Sequence, residues 1–531
     1  MFLYKTFLIV LFGLAACCHC STLTSSSTPL PSRRLVEDRS ISEADADAEK
    51  IGVAGGECFP SKTECPFSTT CTLATYEEGG TEYTRHLCVH KGLFPLNGSD
   101  AATVFLLLIS VALAAGGGIG GGGLLVPIYR LVCGFPITQA TALSLATISG
   151  GSIANLYTYT QRYHPNSDLK RPLIDYETSL LFCPALLAGT MFGSMFSVMF
   201  PAWLIVVLLV ILLGYSGKRT VNKGIQRWKL SSQSDWVARE KKKAEVELSE
   251  RNSLSRMSID SEASPLHLSL DEDDEMDPPA LTLPSIALSM EQSVRLDTIR
   301  AQEGSLIQAR NWGWTAVLWV VVFIFALLRG GKGGTSLIPG LTCEKPLYWS
   351  LFAINLFVLL TATAVLRSQT LSRAEEKTAL GHKALEGDLH WDRRTTALYP
   401  ALCVFAGVAA GLLGIGGGMV IGPLLVELGC LPQPIAATSA YVVFITATSG
   451  LAQVYIMGLV PGDYAIVFSC CGVLATFLGQ SVVDYVVKKY KKDAIVVLVI
   501  GFIMMVALVL MTYDGVMQII YATSFGFTNL C

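Results

Sequence analysis

The sequence contains the same five residues twice, Gly118-Ile119-Gly120-Gly121-Gly122 and Gly414-Ile415-Gly416-Gly417-Gly418. Each copy lies inside a longer apolar segment, Ala101–Cys133 in the first half and Ala397–Glu427 in the second. Each segment is too long for one membrane helix of about 20 residues and too short for two. Because clustered glycines allow a tight turn, the pattern predicts that each segment enters the membrane and turns back as a re-entrant hairpin.

The similarity between the two halves continues after the glycines in the same order. Its matched positions are Pro127 with Pro423, Ala154-Asn155-Leu156-Tyr157 with Ala452-Gln453-Val454-Tyr455, and Thr190 and Gly193 with Thr476 and Gly479. One glycine cluster can recur by chance, but an ordered set of this kind indicates duplication. The chain is therefore predicted to contain two copies of a membrane unit, as many secondary transporters do.

The composition also indicates a membrane protein. Of 531 residues, 51% are hydrophobic and 15% are charged, whereas a soluble domain carries about 25% charged residues. The net charge is −3 and no strongly basic segment dominates, so a nucleic-acid partner is excluded. These values exclude a cytosolic enzyme and a disordered chain, and they predict a lipid bilayer as the surroundings.

Eight further apolar segments are predicted to cross the membrane. They are Thr138–Tyr159, Glu177–Val198, Ala202–Tyr215, Trp312–Leu328, Leu347–Leu366, Pro434–Met457, Tyr464–Val487 and Ala494–Thr512. If each glycine-broken segment crossed once, the basic residues after Tyr215 would lie on the luminal side, against the positive-inside rule. With hairpins, the basic loops fall in the cytosol and the two repeats have opposite orientations. The predicted fold is an all-α polytopic membrane protein with two inverted-topology repeats, each opening with a Gly-broken re-entrant hairpin, and about eight full spans.

The N-terminal region reads as a secreted domain. Residues 1–20 resemble a signal peptide, with an uncleaved signal anchor as the alternative, and residues 21–57 are typical of a disordered linker. Four cysteines follow within residues 58–100, namely Cys58, Cys65, Cys71 and Cys88. In an oxidising lumen they predict two disulfides, and three connectivities are open.

A zinc site using His86 or His90 is the rival interpretation of these cysteines. Their spacing lacks the paired C-x2-C signature, so no metal is predicted. Asn97-Gly98-Ser99 is a glycosylation sequon, which agrees with a luminal or extracellular domain. We therefore expect an integral protein of the secretory pathway, in the plasma membrane or an endomembrane.

The predicted organisation divides the remainder of the chain by polarity. Its segments are membrane repeat 1 (residues 101–215), a charged cytosolic loop (216–311), two connecting transmembrane helices (312–366), a cytosolic loop (367–396), membrane repeat 2 (397–513) and a C-terminal tail (514–531). The large charged loop is a place where cytosolic regulators are expected to bind. The oligomeric state is not readable from the sequence.

The two glycine motifs are the predicted substrate-binding region. Where a membrane helix breaks, its end exposes unpaired N–H groups with partial positive charge, and glycine lets a ligand approach the backbone. Two such breaks near the midplane predict a cradle for a small anion, with hydroxyl and amide side chains from the following helices. The candidate residues are Gly118, Gly120, Gly121, Gly122, Ser144, Asn155, Gly414, Gly416, Gly417, Gly418, Ser439 and Gln453. Close helix packing is the alternative explanation for each of the small residues.

The duplicated Gly-x-Gly-Gly-Gly-x4-Pro pattern and the later Asp175-Tyr176 and Asp463-Tyr464 pairs resemble the sulfite exporter TauE/SafE family of membrane transporters. The cysteine block ending in His90-Lys91, and Cys343-x4-Tyr348-Trp349, are similar to the eukaryotic branch. The resemblance implies transport of small anions, with sulfite or organosulfonates as family substrates. It covers residues 101–215 and 397–513, and the charged loop departs from it.

Three other functions compete with a secondary transporter that works by alternating access. An anion channel of similar architecture stays open as an alternative, and so does a membrane-anchored receptor or scaffold that uses the cysteine-rich domain. An enzyme is not expected, because the spans lack paired acids, a metal-ligand set or a nucleophile–base pair. Gly118-x-Gly120-x-x-Gly123 formally matches a dinucleotide fingerprint, but no strand precedes it, so no cofactor is predicted.

Overall fold

The computed structural model describes the membrane part of the chain and a short preceding segment. The described residues are 69–78, 81–94, 96–115, 122–164, 171–222, 224–226, 228–229, 290–306, 308–330, 337–338, 341, 345–380, 389, 391–427, 430, 432–490 and 494–520. Several predictions lie outside them, namely the signal peptide, the linker, Cys58, Cys65, Gly118, Gly120, Gly121 and most of loop 216–311.

The described chain consists of one β-hairpin followed by helices. Strands β1 (Thr69–Glu78) and β2 (Thr81–His90) pair in an antiparallel register. The helices are α1 (Gly98–Ala115), α2 (Gly122–Leu131), α3 (Ile137–Tyr159), α4 (Tyr176–Met199), α5 (Ala202–Gln226), α6 (Met290–Glu303), α7 (Ala309–Arg329), α8 (Pro346–Ala379), α9 (Thr395–Leu413), α10 (Gly418–Glu427), α11 (Pro432–Ile456), α12 (Gly462–Tyr490) and α13 (Ala494–Ile520).

Within the described residues, 9 helices are long and apolar enough to cross a membrane. They are α1, α4, α5, α7, α8, α9, α11, α12 and α13. This confirms a polytopic helical membrane protein. Helix α3 has 23 residues and is as long as these, but its hydroxyl and amide side chains lower its hydropathy. It is almost wholly buried, so it lies inside the protein.

Three helices extend beyond the ends that the sequence predicted. Helix α5 continues past Tyr215, α8 continues past Leu366 and α13 continues past Thr512. Apolarity marks the part of a helix that lies in hydrocarbon, whereas Lys, Arg, Glu and Gln are good helix formers in water. Helices α5 and α8 therefore continue into polar surroundings after their apolar stretches end, while the residues added to α13, 513–520, are themselves mostly apolar.

Ion pairs define two ends of the helical bundle. At the Arg162 end, Arg162 contacts Asp484 at 2.6 Å and Lys377 contacts Glu177 at 2.8 Å. At the Asp100 end, Lys91 contacts Asp100 at 2.5 Å. Lys377, which belongs to the loop 367–396 predicted to be cytosolic, lies at the Arg162 end. Asp484, near the end of α12, is ion-paired with Arg162 there.

The first glycine-broken segment begins and ends near the Asp100 end. The Thr103 hydroxyl, in the second turn of α1, lies 3.1 Å from the sulfur of Cys133, which follows α2. A ring nitrogen of His90 lies 2.9 Å from the Cys133 carbonyl oxygen, and the ring stacks on Phe135 at 3.8 Å. These contacts hold the start of α1 beside the end of α2, and His90, the last residue of β2, contacts the same end.

The most extensive helix packing is between the two halves of the chain. Helix α4 lies along α9, α1 lies along α12, and α3 contacts both α11 and α12. Glycines allow the closest crossing, because a Cβ added at Gly189 or at Gly407 would overlap the backbone of the opposite helix. Small residues at crossings let membrane helices approach closely.

We expect Gly407→Ala to destabilise the protein. The added methyl would overlap the Leu186 carbonyl, and overpacking of this kind costs about 1–3 kcal/mol. The matched control is Gly313→Ala, since nothing lies within 4 Å of a Cβ at Gly313. Thermal unfolding in detergent should show a lower Tm for Gly407→Ala alone. Equal Tm values for the two variants would contradict the close crossing.

The strand register bears on the disulfide prediction. Cys71 is paired directly opposite Cys88 between β1 and β2, and backbones opposite each other in such a ladder are about 4.5–5.5 Å apart, within the range of a disulfide. We expect a Cys71–Cys88 disulfide, with Cys58 and Cys65 forming the second. Peptide mass mapping without reduction checks this, and a Cys58–Cys71 link would contradict it.

Candidate functional site

The last glycine of the first motif, Gly122, lies against the second motif inside the protein. Helices α2 and α10, each 10 residues long, begin at Gly122 and Gly418. A Cβ added at Gly122 would lie 2.7 Å from the Ile415 Cα atom. One added at Gly123 would overlap the Met419 side chain. The start of α2 is therefore in direct contact with the second glycine turn.

The second turn is held by three glycines in left-handed conformation. Their φ angles are 67° at Gly414, 69° at Gly416 and 73° at Gly417. The Gly414 N–H donates to the Ala410 carbonyl at 3.1 Å and so ends α9. Residues with a side chain rarely adopt these angles. The repeated glycines thus allow the chain to leave α9 and begin α10 within four residues.

Two hydroxyl groups donate hydrogen bonds to carbonyl oxygens of this turn. The Ser144 hydroxyl on α3 donates to the Gly414 oxygen at 2.7 Å. The Thr446 hydroxyl on α11 donates to the Gly416 oxygen at 3.0 Å. The N–H groups of Gly418, Val420 and Ile421 at the start of α10 donate to the Gly416 and Gly417 carbonyls of the turn. They carry the partial positive charge of a helix start.

The two predicted amide side chains, Asn155 and Gln453, make equivalent contacts, each with a side chain from the other half of the chain. Gln480 on α12 donates to the Asn155 oxygen at 2.8 Å. Ser194 on α4 donates to the Gln453 oxygen at 2.7 Å. Asn155 corresponds to Gln453 in the sequence repeat, and Ser194 and Gln480 each follow a matched glycine. Equivalent residues therefore make equivalent contacts between the halves.

The matched glycines Gly193 and Gly479 also make equivalent contacts with the other half of the chain. A Cβ at Gly193 would overlap the Val408 carbonyl, and one at Gly479 would overlap the Ala112 carbonyl. Ala112 and Val408 are separated by the same number of residues as Gly118 and Gly414. The two contacts are one contact made twice.

These paired contacts lie toward opposite ends of the bundle. Asn155 is one helical turn before Tyr159, whose ring lies 5.4 Å from the Arg162 guanidinium at the Arg162 end. Gln453 borders a small cavity with Arg329, the last residue of α7. Helix α7 starts beside Arg310 at the Arg162 end and is about 31 Å long, so Arg329 is at the Asp100 end.

Ser439 differs from Ser144, the other predicted hydroxyl, in its hydrogen bonding. It is fully buried, and its oxygen has no hydrogen-bond partner among the described residues. A buried hydroxyl without a partner costs about 1–3 kcal/mol. Its oxygen lies 4.0 Å from the position of a Cβ added at Gly422 on α10. Ser439 is thus available to a ligand near the second short helix, whereas Ser144 already donates to the turn.

A larger cavity opens at the Arg162 end. It has a volume of about 190 Å³ and is lined by side chains of both signs, including Arg171, Arg373, Lys377, Glu177 and Glu303. Glu303 belongs to α6, so the end of the charged loop forms part of the wall. The Lys377 ammonium nitrogen lies 2.7 Å from a Glu303 carboxylate oxygen, and this ion pair connects the end of the charged loop to α8.

The cavity extends to the start of α4 and α11. Asp175 caps α4 by accepting from the Thr178 N–H at 3.1 Å, as the sequence predicted. Burial raises the pKa of the Asp175 carboxyl, against the opposing effect of its hydrogen bond with the Thr178 hydroxyl. The Asp175 N–H donates to Thr438 at 3.1 Å, the residue beside Ser439.

Sequence reasoning missed two partners at the site, Gln480 and Ser194. They escaped because they differ in type although they occupy matched positions. Their place directly after the matched glycines Gly193 and Gly479 was the available signal. Thr446 belongs to the hydroxyls predicted on the following helix, and its contact with Gly416 distinguishes it from the others.

Comparison with known proteins gives a consistent result. The family model described as "Sulfite exporter TauE/SafE" matches residues 95–244 and 279–519. Sulfite exporter TauE/SafE family protein 5 of Arabidopsis thaliana is 31% identical over 75% of this chain and 79% of its own. Family protein 2 of the same plant is 29% identical, over 75% and 79%. Family protein 1 is 28% identical, over 75% and 80%. No solved structure matches the chain.

We expect Gly417→Ala to disturb the turn. At a φ of 73° an alanine costs about 1–2 kcal/mol, and its Cβ would lie 3.2 Å from the Thr446 hydroxyl. Gly422→Ala on the same short helix is the control, because its Cβ reaches the Ser439 oxygen only at 4.0 Å. Thermal unfolding in detergent should separate the two. A Tm that falls equally in both would contradict this account of the turn.

Proposed function

The chain belongs to the sulfite exporter TauE/SafE family of membrane transporters, and from this we propose that it carries a small oxyanion, such as sulfite or an organosulfonate, across a membrane. We propose that the anion binds where the two glycine turns meet. The mechanism is alternating access between two inverted repeats, each opening with a re-entrant hairpin.

The contact between the starts of α2 and α10 carries the proposal. A helix start behaves as roughly half a positive charge, and two of them side by side in a medium of low dielectric repel each other. An anion between them removes this repulsion. The partial positive charges of the helix starts attract the ligand, and no lysine or arginine is needed at the turns to hold it. Such a site binds weakly enough to release its ligand.

The exchanged contacts support inverted repeats. The Ser194–Gln453 contact belongs near the Asp100 end and the Gln480–Asn155 contact near the Arg162 end. Two halves related in this way have two arrangements of nearly equal energy, one for each end. A rigid-body movement of one half against the other then exchanges an open end for a closed one.

The unequal cavities fit one of these arrangements. The cavity at the Arg162 end measures about 190 Å³ and the one beside Arg329 about 10 Å³. The larger holds a small oxyanion and the smaller holds about one water molecule. The conformation is therefore open toward the Arg162 end. An anion channel, the alternative function, requires a path that is open at both ends at once.

The charges assign the two ends to compartments. Arg162, Arg171, Arg373 and Lys377 gather at the Arg162 end, and cytosolic loops are enriched in such residues. We propose that the Arg162 end faces the cytosol. The β-hairpin docked at the Asp100 end then lies in the lumen or outside the cell, where its disulfides would form.

We expect saturable flux of sulfite or a related anion in proteoliposomes. Unlabelled anion outside the vesicles should accelerate the loss of labelled anion from inside them. A carrier exchanges one anion for another because its binding site returns across the membrane with an anion bound, whereas a channel has no such step. Gly121→Leu and Gly417→Leu should abolish flux by filling the turns. Gly313→Ala, which adds a methyl in open space, should transport as the wild type does.

Three results would count against this function. Flux that rises linearly with concentration and shows no counter-transport would indicate the channel instead. Equal transport by the wild type and both leucine variants would exclude the glycine turns as the binding site. Absence of flux for every anion in a panel of sulfite, sulfate, taurine and small carboxylates would leave a receptor or scaffold.

A further inference from the structure

Arg329 is a buried cation at the Asp100 end. The Arg329 side chain belongs to a residue that is 6% exposed, and the guanidinium lies 5.3 Å from the centres of the Tyr348 and Phe352 rings. Among the residues that the structure describes, no carboxylate pairs with it, and its Nε has no hydrogen-bond partner. The sequence placed it only at the edge of a span.

A buried charge without a counter-ion is unfavourable, because the desolvation of an ion in a protein is costly. The two ring faces and the carbonyl end of α7 attract the guanidinium. Neither supplies an acceptor in the plane of the guanidinium, where its N–H groups point. An acceptor at that position has to come from outside the described side chains.

The neighbouring polar groups have unused bonding capacity too. Asn355, which is 3% exposed, donates to the Met191 sulfur at 3.2 Å, while its oxygen has no partner. The amide nitrogen of Gln453 donates to the Ser449 oxygen at 3.3 Å, and a second N–H remains on that nitrogen. Arg329, Asn355 and Gln453 line the same small cavity between α4, α7, α8 and α11.

We propose that Arg329 is the anion-binding residue at the Asp100 end, where its guanidinium and the Gln453 amide hold a small oxyanion before or after it occupies the glycine turns. This deepens the proposed function and rests on it. The planar fork of arginine matches two oxygens of a sulfite or sulfonate group. The cavity of about 10 Å³ is this site in its contracted form, which opens when the Asp100 end opens.

Gln453, on α11, connects this site with the proposed transport movement. Gln453 belongs to the contact with Ser194 that recurs between the halves. A movement that opens the Asp100 end separates α4 from α11 and frees the Gln453 oxygen and amide together. Arg329, fixed by the aromatic rings of α8, stays in place. The anion is thus bound by one stationary and one moving residue.

The test measures sulfite uptake from the Asp100 side in oriented proteoliposomes of the full chain. The variants are Arg329→Gln, Arg329→Lys and, as a matched control, Lys345→Gln, which removes an exposed base from the same end. We expect Arg329→Gln to raise KM about tenfold or more, as loss of a charged hydrogen bond does. Arg329→Lys should recover part of that loss, and Lys345→Gln should leave KM unchanged.

A second measurement does not depend on transport. Sulfite that binds the folded protein raises its Tm in detergent, so the wild type should gain a Tm shift that Arg329→Gln lacks. If wild-type Tm rises but no anion is transported, the proposed function fails while the site stands. If Arg329→Gln does not fold, the comparison of Arg329→Lys with the wild type decides.

Two outcomes overturn the proposal. The first is an unchanged KM and an unchanged sulfite-induced Tm shift in Arg329→Lys and Arg329→Gln. The second is that Glu344→Gln reproduces the properties of Arg329→Gln. Glu344 lies outside the described residues, and that result would make it the partner of Arg329 in an internal ion pair.

Discussion

A backbone inside hydrocarbon has to satisfy its own polar groups, and the rest of this structure depends on how that constraint is met at two glycine turns. Continuous helices meet it automatically, whereas the turn at Gly414–Gly418 breaks a helix in the interior. Hydroxyls from α3 and α11 satisfy the carbonyls of the turn. The N–H groups of Gly418, Val420 and Ile421 at the start of α10 donate to carbonyls of the same turn. The helix start still carries a partial positive charge, which determines the sign of the ligand that fits it.

The close approach of the two halves follows from the same constraint. A turn in hydrocarbon is stable only where protein surrounds it, and α3 and α11 cover the turn at Gly414–Gly418. Helix α3 can be rich in serine, threonine and glycine because it contacts protein on nearly all sides. The glycine crossings of α4 with α9 and of α12 with α1 then pack helices of one half onto helices of the other. Packing of this kind ties the halves together at matched places.

Sequence reasoning found the features that repeat and missed those that depend on a single contact. The duplicated glycines predicted the break at Gly414–Gly418, and the matched residues Asn155 and Gln453 proved to make matched contacts. The ends of α5 and α8 were predicted too short, because hydropathy reports the bilayer and not the helix. The roles of Ser144 and Ser439 could not be separated, since both are hydroxyls on buried helices. One donates to a carbonyl 270 positions away in the chain and the other has no partner among the described residues.

Unused hydrogen-bonding capacity in the interior is informative because it has a cost that the native fold would otherwise avoid. Ser439, Asn355 and Arg329 each retain a buried polar atom without a partner in the described part of the chain. Ser439 is on α11 near the second short helix, while Asn355 and Arg329 line the cavity at the Asp100 end that Gln453, also on α11, borders. If these groups served packing alone, apolar residues of the same size would be more stable. Ser439 and Gln453 lie along α11, which contacts both the glycine turn and the cavity at the Asp100 end. Polar groups in these places fit the proposed route of the anion, because each would replace part of the water that the anion loses on entering the protein.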